Sequence, residues 1–341
     1  MITKNEQKLE ILHSKKYGKN TMNNIIIKGS YSTDAYAGSF YHYTSPEGLR
    51  GILGNRELFF TDAQFLNDYS ERININKDLE LFWETNRKRY DKQFLGLLNR
   101  IRIEAYEDDA FAYMQSDNLY GMIENPTRYY VFSTSTEPDS LNMWKYYSKS
   151  NGYDGYCIEL FTLALVDEWI DKDTGVSIVE GLVIYSTEKK QEIIASAVDR
   201  LYKEWCKYII SNEFNEKIIK EYKSWISITS LFFKHECFAE EKEYRYIAVV
   251  PTSKLLELKH DYNGIPCKMY DFRIKNGVLI PYIKMPFNYY NVSQCYAVQS
   301  IGVGPSVNFE QKKLGIELFL KSLDFTYPNL SINQSKIPLR Y

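Results

Sequence analysis

The chain is poor in histidine and has no paired cysteines: four His and five Cys stand among 341 residues. Cys157, Cys206, Cys237, Cys267 and Cys295 are odd in number, scattered, and never spaced as CxxC. This argues against a structural zinc site of paired thiolates and against an even-numbered disulfide framework. Scattered thiols fit a reducing compartment, where they simply pack. Also absent is any run of about 18 apolar residues, the length that a spanning helix requires. Met1 to Asn20 is polar and charged and lacks the apolar stretch of a secretory signal. The expected location is therefore the cytoplasm, with no membrane partner. Excess charge is missing too, since 42 Lys and Arg against 44 Asp and Glu leave a net charge of −2. Such a chain has no global field for nucleic acid, so that partner would need a local patch.

What is present describes a globular protein. A hydrophobic fraction of 44% with 25% charged residues excludes a membrane protein and a disordered tail. A chain of this length buries a sizeable core without disulfides. Thirty tyrosines are unusual. Tyr has an apolar ring and a polar tip, so it serves half-buried strands and stacking pockets alike, and the excess decides nothing alone.

Residues 1–35 read as a polar extension containing one apolar run, Ile25-Ile26-Ile27. Order is expected from Ser39-Phe40-Tyr41-His42-Tyr43, an aromatic-rich strand. Ser45-Pro46-Glu47 then starts a helix, with Ser45 as cap and Pro46 at the first helical position. Leu49, Ile52 and Leu53 form its apolar stripe and Gly54-Asn55 ends it. Further strands are expected at Glu57–Thr61, Tyr129–Ser135, Gly155–Leu160, Gly181–Tyr185, Tyr244–Val250, Val278–Ile283 and Ile301–Pro305. Helical patterns cover about 66–107, a segment after Pro138 with Leu141, Trp144 and Tyr147 on one side, and about 188–238. In the last, Ile193, Ala197, Leu201 and Trp205 step by four. The strands cluster rather than alternate strictly with helices, which favours an α+β fold. The expectation is one α+β domain over 36–341, of mixed and largely antiparallel sheets, with an inserted or peripheral helical layer.

Four clusters could carry chemistry. His42 lies in a strand just before the capped helix; it reads either as a satisfied core histidine or as a hydrogen-bonding group at a pocket. His13 and His260 are expected to be solvated. In Leu66-Asn67-Asp68 with Glu71, Asn67 or Asp68 caps a helix and Glu71 closes a capping box from Asp68. A metal role for this cluster would need oxygen ligands from elsewhere. Trp144 and Tyr147, three apart, share a helix face after Phe132-Ser133-Thr134-Ser135, and serve either the core or a stacking wall. In Glu240-Glu241-Lys242-Glu243-Tyr244-Arg245, period-two alternation places Glu241, Glu243 and Arg245 on one face. Arg245 is the natural partner of a buried carboxylate there, so this too has a structural reading, an ion pair where the strand begins. Arg87, Lys88, Arg89, Lys92, Arg100 and Arg102 crowd one helical region, as a solvated face or as the one local nucleic-acid patch.

Taken in order, Tyr41-His42-Tyr43-Thr44-Ser45, Leu66-Asn67-Asp68-x-x-Glu71, Phe132-Ser133, Met143-Trp144-x-x-Tyr147, Glu241-x-Glu243-Tyr244-Arg245 and Gly302-Val303-Gly304-Pro305 resemble a widespread bacterial and phage family, known mainly as a domain of unknown function. The resemblance covers roughly residues 40–320. More distantly, a strand carrying His-Tyr-Thr followed by a helix with L-x-x-I-L resembles the opening of ADP-ribosyltransferases of the His-Tyr-Glu type. That likeness implies an ADP-ribosyltransferase-like core and NAD as substrate. Its ribose-binding histidine would be His42, supported by Tyr43, Thr44, Ser133 and Arg245. Its nicotinamide-stacking aromatic would be Trp144 or Tyr147, and its catalytic glutamate Glu243 or Glu241. Asn67, Asp68 and Glu71 would support the site, and no metal is expected.

Two other classes stay open. A metal-dependent nuclease or phosphoesterase would gather Asp68, Glu71 and Glu241 around a divalent ion, and chelator would abolish its activity. A non-catalytic sensor would bind ligand without turnover. An enzyme of the first kind points to phage–host conflict or toxin-like regulation, with an acceptor macromolecule and a regulatory protein as expected partners.

Overall fold

The computed structural model describes residues 38–66, 71–103, 127–147, 154–162, 165, 176–207, 212–262, 265–287, 296–306, 308–324 and 326–338. They fall into two compact units. One comprises the described residues of Ala63–Asp117 and Gly181–Ala239; the other comprises those of Tyr36–Asp62, Asn118–Glu180 and Glu240–Tyr341.

The sheet unit starts as the sequence dictates. After β1 (Ser39–Thr44), Ser45 accepts a hydrogen bond from the Gly48 backbone N–H at 3.2 Å and Pro46 opens α1 (Pro46–Asn55). The helix ends at Arg56 in the left-handed region, φ 53°, so the reversal falls on an arginine and not on glycine. β2 (Glu57–Asp62) follows, then β3 (Thr127–Ser135), β4 (Tyr156–Phe161) and β5 (Ser177–Leu182). β5 lies upstream of the expected Gly181–Tyr185; Ile184 makes only an isolated bridge with Phe233. β6 (Glu243–Pro251) is buried at every position except its last. β7 (Lys259–Tyr262) and β8 (Ile265–Lys268) form a separate hairpin. β9 (Tyr270–Lys275), β10 (Val278–Pro286), β11 (Val298–Val303) and β12 (Ser331–Gln334) complete the strands.

Ten of these strands form one sheet in the order β12-β11-β4-β1-β3-β2-β10-β9, with β6 on β3 and β5 on β6. The registers of β1, β2, β3, β4, β6, β9, β10 and β11 with one another are antiparallel, and β11 with β12 is parallel. This is the expected α+β fold with mixed, mostly antiparallel sheets. On one face of the sheet Phe40, Phe60, Phe132, Tyr244 and Tyr246 build an aromatic core; Phe40 and Tyr244 stack with centroids 3.8 Å apart.

The helical unit contains α2 (Glu71–Asn86) and α3 (Lys92–Leu98), which precede the sheet unit's α4 (Leu141–Tyr147), and then α5 (Thr187–Trp205) and α6 (Asn212–Ser230). The expected step-of-four on α5 holds at Ala197, Leu201 and Trp205, and Ile193 is only partly buried. Lys190, Ile194, Ala197, Val198, Leu201 and Trp205 are buried, because 3.6 residues per turn moves the stripe between spacings of three and four. Its core joins Phe82, Phe94, Leu201, Trp205 and Trp225. A buried Lys190 pairs with Asp78 at 3.7 Å. α7 (Phe309–Lys321) belongs to the sheet unit. Among the described residues no helix is long and apolar enough to cross a membrane.

Candidate functional site

The site is built on β3. One edge of β3 carries β6 throughout, from Thr127 opposite Pro251 to Ser135 opposite Glu243. The other edge is shared: β2 pairs at Tyr130 and Val131, and β1 at Ser135. Between those pairings β1 and β2 part, and the sheet forks beside Phe132, Ser133 and Thr134. The His42 ring takes the place of a ladder bond there. Its Nδ1 lies 3.0 Å from the Ser133 carbonyl, and since a carbonyl only accepts, Nδ1–H donates. In the neutral ring Nε2 is then a bare acceptor. The ring packs on Phe132, centroids 4.6 Å apart. Burial pulls the His42 pKa down from 6.5 to about 4; the bond to Ser133 opposes the fall, and the positive charge of Arg273 adds to it. His42 is neutral at physiological pH.

A small cavity opens at the fork. Tyr41, His42, Ser133, Tyr147, Glu241 and Glu243 line it, with Tyr43, Thr134 and Met143. Strand register assigns the faces. Tyr41, Tyr43, Ser133, Ser135, Glu243 and Arg245 share one face, whereas His42 belongs to the opposite, aromatic face. His42 and Glu243 border the same cavity because the sheet is open between them.

Arg245 binds Glu243 through Nε to Oε1 at 2.7 Å and Nη2 to Oε2 at 2.8 Å, both side chains being buried. The expected alternation holds for these two and fails for Glu241. A 3-10 turn, Glu236–Glu241, runs up to the strand and Lys242 adopts φ 43°, so Glu241 precedes the pleat. Ser135 secures this junction: its hydroxyl donates to the Glu241 carbonyl at 2.7 Å. The Thr136 N–H bonds the Lys242 carbonyl at 2.9 Å. Glu241 is nevertheless brought to the cavity.

The two aromatic candidates separate. Tyr147 lines the cavity, while Trp144 is almost fully buried against Tyr43, edge to face at 4.8 Å. Its indole N–H donates to Asp139 at 2.7 Å, and Asp139 also accepts from the Ser335 hydroxyl and the Lys336 N–H. Gly302 of the G-V-G-P motif explains part of this packing: a Cβ there would lie 3.3 Å from Cys157 Cβ and 3.7 Å from the Trp144 ring. Leu141, expected on the same side, is exposed because the helix turns Met143 and Trp144 inward. Tyr43 also spends its polar end on structure. Its hydroxyl donates to the Glu137 carbonyl and accepts from the Ser140 N–H, which fixes the start of α4. Burial raises its pKa well above the ordinary value. Thr44 is not among the cavity residues; its hydroxyl lies where a Cβ at residue 48 would be, so any larger residue there would displace the Thr44 side chain.

Asn67 and Asp68 lie outside the described residues, as does the side chain of Glu71, whose backbone begins α2. Among the described residues no group of three or more His, Cys, Asp or Glu gathers as a metal site. His260, expected to be solvated, instead pairs with Glu57 at 3.2 Å, because β7 turns it inward. Of the basic run, Arg89 pairs with Asp199 at 3.1 Å, and Arg102 bonds the Asn99 and Ile101 carbonyls and lies 3.6 Å from Glu80. Arg87, Lys88, Lys92 and Arg100 are exposed. Sequence reasoning missed Asp139 and Arg273. A signal existed for the second: Asn276-Gly277, both at positive φ, closes the β9–β10 hairpin that presents Arg273.

The sequence model of a family described as a protein of unknown function, DUF2971, matches residues 143–246. The match opens on Met143 of the M-W-x-x-Y motif and closes on Tyr246, just past Arg245. Nothing matches among curated proteins or solved structures.

Proposed function

We propose that the chain is an NAD-cleaving enzyme of ADP-ribosyltransferase-like type, a transferase or NAD glycohydrolase, with the β3 fork as its site. The supporting observation is the meeting of a neutral histidine, an aromatic ring and two carboxylates at one cavity: His42, Tyr147, Glu241 and Glu243. The bond broken joins the ribose to the nicotinamide nitrogen. Its electron pair leaves with nicotinamide, and positive charge develops on the sugar, as in glycoside cleavage. A fixed carboxylate stabilises that charge. The bare Nε2 of His42 accepts from a ribose hydroxyl, and the Tyr147 ring holds nicotinamide in position. The acceptor, water or a macromolecule, adds to the sugar and gives up its proton to the nearby carboxylate.

The test is nicotinamide release by purified protein, with and without EDTA, for the wild type, Glu241→Gln, Glu243→Gln and His42→Ala. Release that survives EDTA and falls about 100-fold in one glutamate variant that still melts cooperatively is the expected result. NAD binding without release would leave a sensor. Neither binding nor release would overturn the reading.

A further inference from the structure

Resting on the fork as the ligand site, we infer that Arg273 is its anion-binding residue and takes the diphosphate of a nucleotide ligand. Register carries the first step. Thr61 lies opposite both Val131 of β3 and Tyr282 of β10, and Arg273 lies opposite Ile280, two residues before Tyr282. Arg273 therefore shares a face with Thr61, and through Val131 with Ser133, Glu243 and Arg245. It stands on the β2 side of the fork, whereas Tyr41 and His42 stand on the β1 side. Its guanidinium bonds Thr61, which lies opposite Val131, two residues before the cavity residue Ser133.

The guanidinium is held in place but not neutralised. Nη2 donates to the Thr61 hydroxyl at 2.6 Å, and the group lies over the Tyr282 ring at 5.8 Å. Three other cations of this sheet have carboxylate partners: Arg128 with Asp62, Arg245 with Glu243 and Lys284 with Asp271. Among the described residues none pairs with Arg273, and its Nε is buried without a hydrogen-bond partner. A desolvated donor on a permanent charge is costly, and an oxygen anion is what repays it. Arginine presents several N–H donors in a planar fork that matches phosphate oxygens, and Thr61 occupies only one. The polarity of the site points the same way. Carboxylates at the cavity face the end of NAD where positive charge develops, and Arg273 stands across the fork to meet its negative end.

Calorimetric titration of the wild type, Arg273→Gln, Arg273→Lys and Thr61→Ala with inorganic diphosphate, ADP, NAD and nicotinamide riboside tests this. Arg273→Gln is expected to weaken diphosphate, ADP and NAD by about 10- to 100-fold and to leave nicotinamide riboside unchanged. Arg273→Lys keeps charge without the fork and falls between, and Thr61→Ala loses several-fold through a looser guanidinium. Equal affinities of wild type and Arg273→Gln for all three phosphate ligands overturn the assignment. So does a wild type that binds the riboside but no phosphate ligand, and in that case the fork survives as a site. Diphosphate binding that vanishes in Arg273→Gln, in a protein that never cleaves NAD, sustains Arg273 and sinks the cleavage reading instead.

Discussion

Glu243→Gln is expected to destabilise the sheet unit by about 3–5 kcal/mol, seen as a fall in Tm on the order of 10 °C. The reason is geometric. Glu243 and Arg245 are two residues apart on one strand face, joined by two charge-assisted bonds of 2.7 and 2.8 Å, and Arg245 is only 2% exposed. Burying both ions has a large desolvation cost, which their mutual attraction offsets. Neutralising Glu243 turns two charge-assisted bonds to the buried guanidinium into weaker neutral ones. Replacing both by apolar residues of similar size removes both the cost and the attraction, so Glu243→Leu with Arg245→Met should recover most of what either single change loses. Denaturant melts of the four proteins measure this. Single variants within about 1 kcal/mol of wild type would show that the pair does not hold the strand. The result also governs how activity is read. A glutamate that fixes the strand and one that stabilises a developing cation lose turnover alike when replaced, so the rate must be taken per folded molecule. Glu241→Gln, at the end of the 3-10 turn, is the complementary probe.

What the sequence made legible is whatever depends on near neighbours. Ser45-Pro46 fixes the start of α1 by capping and by the proline ring, and both act as expected. β1, β3 and β6 follow from runs of aromatic and β-branched residues. The pairing of Glu243 with Arg245 follows from alternation along one strand. What failed depended on events between strands or on a local break. Alternation carried back to Glu241 fails because Lys242 takes a left-handed backbone and the pleat begins only at Glu243. Choosing between Trp144 and Tyr147 required Gly302 and Asp139, which are remote in sequence and together hold the indole inside. The fork was not legible at all: no periodicity in β3 records that one of its edges serves two strands. Arg273 was out of reach for the same reason, although its Asn-Gly hairpin is a strong short-range signal.

Acidification from pH 7 to pH 4 is expected to lower stability by up to about 3 kcal/mol through His42 alone. The folded protein holds this imidazole at about 4, mainly through burial, whereas an unfolded chain protonates near 6.5. Between those values the unfolded state binds the extra proton and the folded state does not, so stability rises with pH across that window. Above about 6.5 neither state is protonated at this group and its contribution is complete; it is lost as pH falls towards 4. His42→Gln can still donate to the Ser133 carbonyl, but it does not titrate. Its stability should therefore fall less steeply than that of the wild type between pH 6.5 and 4, with similar curves above pH 7. Urea melts at half-unit intervals decide this, and curves that stay parallel through the acid limb would mean that the ring opens to solvent and titrates normally. The same property bears on turnover. A ribose-holding histidine that acts as a neutral acceptor needs no proton, so the rate of nicotinamide release should show no inflection near 6.5 attributable to His42. An inflection there that disappears in His42→Gln would assign the ring a proton-transfer role instead.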